Sequence, residues 1–529
     1  MKRYQKATEI LASGVLAAFG AATCFAGPKQ APSMAIKPKT MVRVGSVDER
    51  YQSYNIEMVE VTGGRFWKPY ASKGETQQPG ENQPSGMSAS LFEYRKPIDL
   101  YNPRLRMLAA ALGPAYVRVS GTWANTTFFF DSDALAPEDP PAGFKGVLTR
   151  PEWKGVVDFS KAVDAKLMTS AAISPGVRDA SGVWTPVQEE QLLTYTKSVG
   201  GSIAAMEFMN EPNMPDVGGA PKGYDAAEFG RDLSIFRTFI QKTSPSTLIV
   251  GPGGVNEESN ALPAGVREMK SADILSATGP AFDVFSYHFY GAVSSRCASF
   301  GESATTSAAA ALSAQWLARA GKSEQFYAGL RDRFEPGKQI WLTETAQAAC
   351  GGDRWASTFL DSFRYLNQLG SLARNGVRVQ MYNTLAASDY GLLDEKTYEP
   401  RPNYWAALLW HRLMGTTVLD PGPSPAPNLH LYAQCLRNHP GGVALLVINA
   451  DRTEAYSLRI PVASERFTLT AHELTDKQVQ LNGGNLQLGA DDRLPELNGA
   501  STVAGNLSFA PASITFLALP AARNAGCQP

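Results

Sequence analysis

Eight runs of apolar and β-branched residues recur along the chain, at 54–61, 115–120, 166–174, 203–209, 247–251, 282–287, 339–344 and 377–382. Each is short enough for a strand and bounded by turn-forming or charged residues. Between them lie stretches with helical spacing, at 101–112, 226–242, 308–320 and 355–375. In the last of these Phe359, Phe363, Leu366, Leu369 and Leu372 recur three or four residues apart and would line one face of a helix. Near-continuous apolar strands alternating with amphipathic helices predict a parallel sheet covered by helices. Eight such units predict an α/β fold, a (β/α)8 barrel with insertions. A doubly wound open sheet is the rival, but no Gly-rich phosphate-binding turn follows the first strand.

The pattern changes after Val418. A Pro-rich break, PGPSPAP at 421–427, is followed by short alternating runs at 442–448, 456–461, 467–474, 486–488 and 513–519, separated by Asn, Gly and Asp clusters. That spacing predicts an all-β sandwich. The segment 35–47 is expected to add a strand, so the smaller domain draws on both ends of the chain. The organisation expected is a leader at 1–26, a linker and N-terminal strand at 27–50, a barrel at 51–418 and a sandwich at 419–529. In the leader Lys2, Arg3 and Lys6 precede an apolar run that ends in small residues, the composition of a secretory signal cleaved after Ala26. Lipidation at Cys24 and an uncleaved anchor are the alternatives. The expected location is secreted or periplasmic, with no membrane attachment after cleavage.

Composition narrows the partners. With 49 Lys+Arg against 50 Asp+Glu the net charge is −1, which excludes a nucleic-acid or membrane-surface binder held by its global field. Export would leave Cys297, Cys350, Cys435 and Cys527, an even number that permits two bridges in three connectivities, with free buried thiols as the alternative. The five histidines form no H-E-x-x-H or other ligand cluster, so neither a metal nor a cofactor is expected. The absence of a G-x-S-x-G elbow argues against a serine hydrolase. The sequence sets no oligomeric state.

In a (β/α)8 barrel chemistry sits at the C-terminal ends of the strands. The fourth run closes in Asn210-Glu211-Pro212 and the seventh in Leu342-Thr343-Glu344-Thr345. Two carboxylates across a barrel mouth are the equipment of glycoside hydrolysis, one protonating the leaving oxygen and the other attacking the anomeric carbon or activating water. The Asn-Glu-Pro after strand four and the Glu ending strand seven resemble the clan of retaining (β/α)8 glycosidases. The run Trp341–Thr345 with Gly351-Gly352, then Asp389–Glu395, Pro402–Trp405 and Tyr116–Thr122, resembles glycoside hydrolase family 79, the heparanase and β-glucuronidase family. The likeness spans about 51–419 and, more weakly, the sandwich.

The resemblance implies Glu211 as general acid/base and Glu344 as nucleophile. It further implies Asn210 on the sugar 2-hydroxyl, Tyr290 bonded to the nucleophile, Arg118 supplying positive charge beneath it, and Glu57 holding sugar hydroxyls. His288 and Gln380 are further candidates for the same pocket. Gly351 and Gly352 with Tyr390 would cradle a uronate carboxylate through close-approaching backbone N–H groups. Read alone, these residues have plainer alternatives: a packed aromatic for Tyr290, a structural ion pair for Arg118 or Glu57, a satisfied core histidine for His288, a tight turn for Gly351-Gly352. The family also implies a bridge between Cys435 and Cys527, and Cys297 with Cys350 would brace the loop carrying Gly351.

The function expected is a secreted retaining β-glucuronidase, heparanase-like, acting inside heparan sulfate or a related glycosaminoglycan. The alternatives are an exo-β-glucuronidase removing terminal glucuronic acid from other glycans and a non-catalytic glycan-binding protein on the same fold. The balanced net charge weakens the case for a long polyanion, although Lys68, Lys73, Arg150, Lys154, Arg178 and Lys222 are available for a local basic cleft.

Overall fold

The computed structural model describes residues 34–71, 87–259, 267–300 and 305–528; the leader, Cys24 and Lys73 lie outside the described residues. The eight apolar runs form strands β1 (Gln52–Glu57), β2 (Ala115–Ser120), β3 (Ala165–Ser170), β4 (Ile203–Glu207), β5 (Leu248–Val255), β6 (Val284–Tyr290), β7 (Gln339–Ala346) and β8 (Val377–Tyr382). They pair in parallel, in sequence order, and β8 closes on β1 to complete the barrel. Helices such as Arg150–Ala162, Ala226–Thr243 and Phe359–Arg374 cover it.

Two expected elements differ from those observed. The run 54–61 is strand only to Glu57; Met58–Thr62 is a short helix, started by a capping box between Glu57 and Glu60. The helix expected at 308–320 is broken. Ser313 caps a fresh start at Ala314, and the long helix is Arg319–Phe334.

Alternation along the strands sorts the barrel interior into tiers. Tyr116, Met168, Ala205, Val250, Val284, Trp341, Val379 and Met381 pack together as an apolar plug. Two residues further along β2 and β4 the same inward parity brings Arg118 and Glu207, and along β6 it brings His288 and Tyr290. Polar groups therefore cluster above the plug, towards the C-terminal ends. Glu344 breaks this parity, because Trp341 faces inward and an undisturbed strand would turn Thr343 inward next. The register against β6 passes from Leu342 to Glu344 and skips Thr343. This bulge re-aims Glu344 into the barrel.

The second domain holds a three-stranded sheet (Met34–Ala35, Tyr456–Ile460, Gly505–Phe509) and a nine-stranded sheet. The larger sheet takes Arg43–Ser46 from the N-terminal side and begins its C-terminal part at Met414–Leu419, upstream of the boundary expected at 419. Its strand Val443–Asn449 is buried on both faces. Val443, Leu445 and Val447 face the core of the sandwich, whereas Ala444, Leu446 and Ile448 join the core that includes the barrel helices Phe359–Arg374 and Pro402–Leu413. Cys435 is bonded to Cys527, and Asn524 Nδ2 donates to Pro38 O (2.7 Å) and Met41 O (3.0 Å), tying the two ends of the described chain together. Cys297 is bonded to Cys350 between the loops after β6 and β7. No helix among the described residues is long and apolar enough to cross a membrane.

Candidate active site

Glu211 follows β4 on a loop pinned from both sides. Asn125 brackets the backbone of Asn210, accepting from its N–H (2.9 Å) and donating to its carbonyl (3.0 Å). Asn213 does the same for Val255 at the end of β5 (3.0 and 2.9 Å). Glu211 itself has φ +49° immediately before a proline. That backbone is held by its surroundings rather than by local preference.

Glu344 is 5 % exposed and receives Tyr290 OH on Oε1 (2.5 Å) and Arg118 on Oε2 (2.7 Å). One oxygen each of Glu211 and Glu344 and a ring nitrogen of His288 lie within 4.8 Å of one another. Arg118 is the hub. Besides Glu344 it donates to Asn210 Oδ1 (2.7 Å) and pairs with Glu207 Oε2 (2.8 Å). His288 Nδ1 lies 3.1 Å from Glu211 Oε1. At the other wall Asn383 Nδ2 donates to Glu57 Oε1 (3.0 Å), Tyr290 OH (2.9 Å) and Tyr390 OH (3.3 Å). The helix-capping contact with Glu60 and the approach of Gly121 (φ +91°) set Glu57; a Cβ at Gly121 would overlap Glu57 Oε2.

The electrostatics separate these carboxyls. Burial holds the Glu211 carboxyl above the ordinary range, and the Glu344 charge adds to this, while His288 and Arg118 pull the other way. Burial also raises Glu57 strongly, again with help from Glu344. Glu207 is equally buried, yet Arg118 and His288 outweigh desolvation and hold it below the usual value. Burial disfavours the His288 cation, but the Glu344 charge, the nearby Glu207 carboxyl and the contact with Glu211 overcome it and push His288 up to about 9. A buried carboxyl whose proton burial favours, beside a second carboxyl bonded to arginine, is the arrangement for one acid and one nucleophile. Glu211, His288 and Glu344 are spaced for a cation, but Arg118 adds a fixed positive charge there and Tyr290 and Arg118 already engage both oxygens of Glu344.

These residues open into a cleft of about 860 Å3, counted out to its mouth and lined by Glu57, Trp67, Met87, Trp123, Glu211, Met214, Tyr290, Glu344, Asn383 and Tyr390, among others. Its concave lining, with apolar walls and a few convergent polar groups, suits a small-molecule or sugar site.

The structure thus brings together Glu57, Arg118, Asn210, Glu211, His288, Tyr290, Glu344 and Tyr390. Gln380 is excluded. Val379 and Met381 face the plug, so Gln380 points outward, where its Nε2 meets Tyr51 OH and its Oε1 accepts from Gln368 (3.1 Å). Asn383, of inward parity, occupies the place expected for it. Gly351 and Gly352 (φ +80° and +84°) form a tight turn in the wall rather than in the lining. A Cβ on Gly351 would lie 2.5 Å from Trp67 Cβ, and Gly352 N–H already donates to Ala348 O (3.1 Å). The basic cleft does not form among the described residues. Arg150, Lys154 and Arg178 pair with Asp131, Asp158 and Asp232, and neither they nor Lys68 and Lys222 line the cavity. Glu207 and Asn383 were not anticipated. The signal for Glu207 was available, since an arginine inside a barrel strand requires a buried counter-charge at matching depth.

The family model described as glycosyl hydrolase family 79, N-terminal domain, matches residues 97–370. Heparanase-like protein 1 of Arabidopsis thaliana is 27 % identical over 482 residues, covering 80 % of this chain and 85 % of the relative. Hyaluronoglucuronidase of Hirudo nipponia is 26 % identical over 479 residues, 82 % and 92 % of the two chains. Among solved structures, a 4-O-α-L-rhamnosyl-β-D-glucuronidase from Fusarium oxysporum superposes with a TM-score of 0.61 at 12 % identity, over 93 % of this chain and 99 % of that one.

Proposed function

The chain belongs to glycosyl hydrolase family 79 and is a glycoside hydrolase of the glucuronidase or heparanase type, and from that premise we propose that it hydrolyses β-D-glucuronosyl linkages with retention, through Glu211 and Glu344. Glu344 attacks C1 while Glu211 gives its proton to the departing oxygen, so the C1–O bond breaks as the glycosyl ester forms. Water then attacks C1, Glu211 takes its proton, and Glu344 leaves as the carboxylate. Tyr290 and Arg118 stabilise the charge that returns to Glu344. Asn210, fixed by Asn125 and Arg118, lies beside Glu211 for the sugar 2-hydroxyl.

The observation that carries this reading is the separation of the two carboxyls. Oxygens within 4.8 Å fit the roughly 5–5.5 Å of a retaining pair and not the roughly 6.5–9.5 Å of an inverting one. For the uronate carboxylate, Tyr390 OH, Asn383 and Glu57, whose proton burial favours, provide polar groups on one wall. Export is supported by the signal-like composition of residues 1–26 and by two bonded cysteine pairs, which belong to an oxidising compartment.

The test is turnover of an aryl β-glucuronide by Glu211→Gln and Glu344→Gln, with the matching β-glucoside as control. Both variants are expected to lose activity. Retained turnover in Glu344→Gln removes it as nucleophile, and equal rates on the glucoside remove the uronate specificity.

A further inference from the structure

The cleft divides into a polar floor and an apolar rim. Glu57, Glu211, Tyr290, Glu344, Asn383 and Tyr390 form the floor; the rim is built from Trp67, Met87, Trp123, Met214, Val217 and Val293. The two indoles meet edge to face with centroids 6.3 Å apart. Phe92 stacks on Trp67 at 4.7 Å and Phe66 packs against Trp123 at 5.0 Å. These aromatics come from the paired strands Gly64–Trp67 and Phe92–Arg95 and from the loop after β2. Met214 and Val217 follow Glu211 on its own loop. A leaving group that takes the Glu211 proton lies against that loop.

Charge sharpens the picture. The lining contains three carboxyl groups, Glu57, Glu211 and Glu344, and among the described residues no lysine or arginine. Arg296, beyond the rim, is paired with Asp389 and lies over the Tyr70 ring at 4.1 Å. An anionic group on the leaving side would give up hydration for an apolar wall that, among the described residues, offers no lysine or arginine to meet it. A flat uncharged group would be covered by indole and thioether surfaces.

Resting on the β-glucuronidase reading above, we infer that the leaving-group subsite takes an uncharged aromatic aglycone and discriminates against a sulfated one. The test is kcat/KM of the full chain on 2-naphthyl β-D-glucuronide and on its 6-sulfonated counterpart, which carries the same ring with one added anion. The uncharged substrate is expected to be favoured by about tenfold or more, a difference of about 1.4 kcal/mol. Met214→Lys should shrink or reverse that ratio by raising the rate on the sulfonate. Equal or faster turnover of the sulfonate by the unaltered protein overturns the inference and leaves glucuronidase activity standing. If neither glucuronide is cleaved, the parent reading fails, and the rim is judged by binding of 2-naphthol and its 6-sulfonate. Tryptophan quenching should then show tighter binding of 2-naphthol, weakened in Trp123→Ala. No preference between the two naphthols overturns the inference on that measurement.

Discussion

The pairing of Arg118 with Glu207 can be tested without reference to substrate. Both residues are 1 % exposed, and Glu207 Oε2 lies 2.8 Å from Arg118 Nη2 and 2.9 Å from Nε. At 2.8 Å and an effective dielectric constant of about 20, Coulomb attraction amounts to roughly 6 kcal/mol, part of which offsets the desolvation of both ions. Removing one member of a buried pair typically costs about 3–5 kcal/mol, because the survivor is left buried and uncompensated. In Glu207→Gln the amide oxygen still accepts from Nε, and Arg118 keeps Glu344 at 2.7 Å. The expected loss is therefore at the lower end, about 3 kcal/mol. Urea unfolding at pH 7 measures it as a lowered midpoint at unchanged slope. The double variant Arg118→Met/Glu207→Gln should lose less than the sum of the single losses, because each residue's penalty arises from the other. A loss below about 1 kcal/mol in Glu207→Gln, or strict additivity, would refute the reasoning.

Further outcomes follow from neighbouring contacts. Tyr290→Phe removes the bond to Glu344, a hydrogen bond to a charged group worth about 1.5–3 kcal/mol, so breakdown of the glycosyl ester should slow by roughly ten- to a hundredfold. A burst of aglycone in stopped-flow traces would report it, and unchanged steady-state kinetics would contradict it. Gly121→Ala should abolish most activity while the protein remains folded, because the added carbon takes the space of the Glu57 carboxylate; a fully active variant would show that Glu57 need not be held there. His288, raised from 6.5 to about 9, contributes stability that is complete below pH about 6.5 and fades as pH rises through about 9. The Tm difference between the unaltered protein and His288→Gln should accordingly shrink across that window, and a difference that grows with pH would reverse the sign.

Much of the barrel was legible because its strands are largely buried on both faces and carry apolar or β-branched residues through much of their length. β2 and β8 fall at 115–120 and 377–382 as read from sequence, as does the sandwich strand 513–519. The run 54–61 misled because Met58, Val59 and Val61 are as buried in a helix as they would be in a strand, and apolarity alone does not distinguish the two. The helix Arg319–Phe334 was missed because its buried face includes Ser323 and Glu324 rather than an apolar stripe. Glu211 and Glu344 stood out through the words around them, yet the inward aim of Glu344 depends on the bulge at Thr343, a matter of register against β6 that the strand's own residues do not announce. Gln380 and Asn383 exchanged places for the related reason that parity counts from the plug, and the plug is visible only once Val379 and Met381 are seen to share it.

The nine-stranded sheet has further implications for handling the protein. Because Ala444, Leu446, Ile448, Phe467, Ile514 and Phe516 lie against the barrel's side of the core, truncation before the second domain would strip the cover from the helices Phe359–Arg374 and Pro402–Leu413 and leave a broad greasy scar. The reverse cut would expose the sheet's own underside. Neither half is expected to fold on its own, and a catalytic fragment expressed alone should be recovered in inclusion bodies.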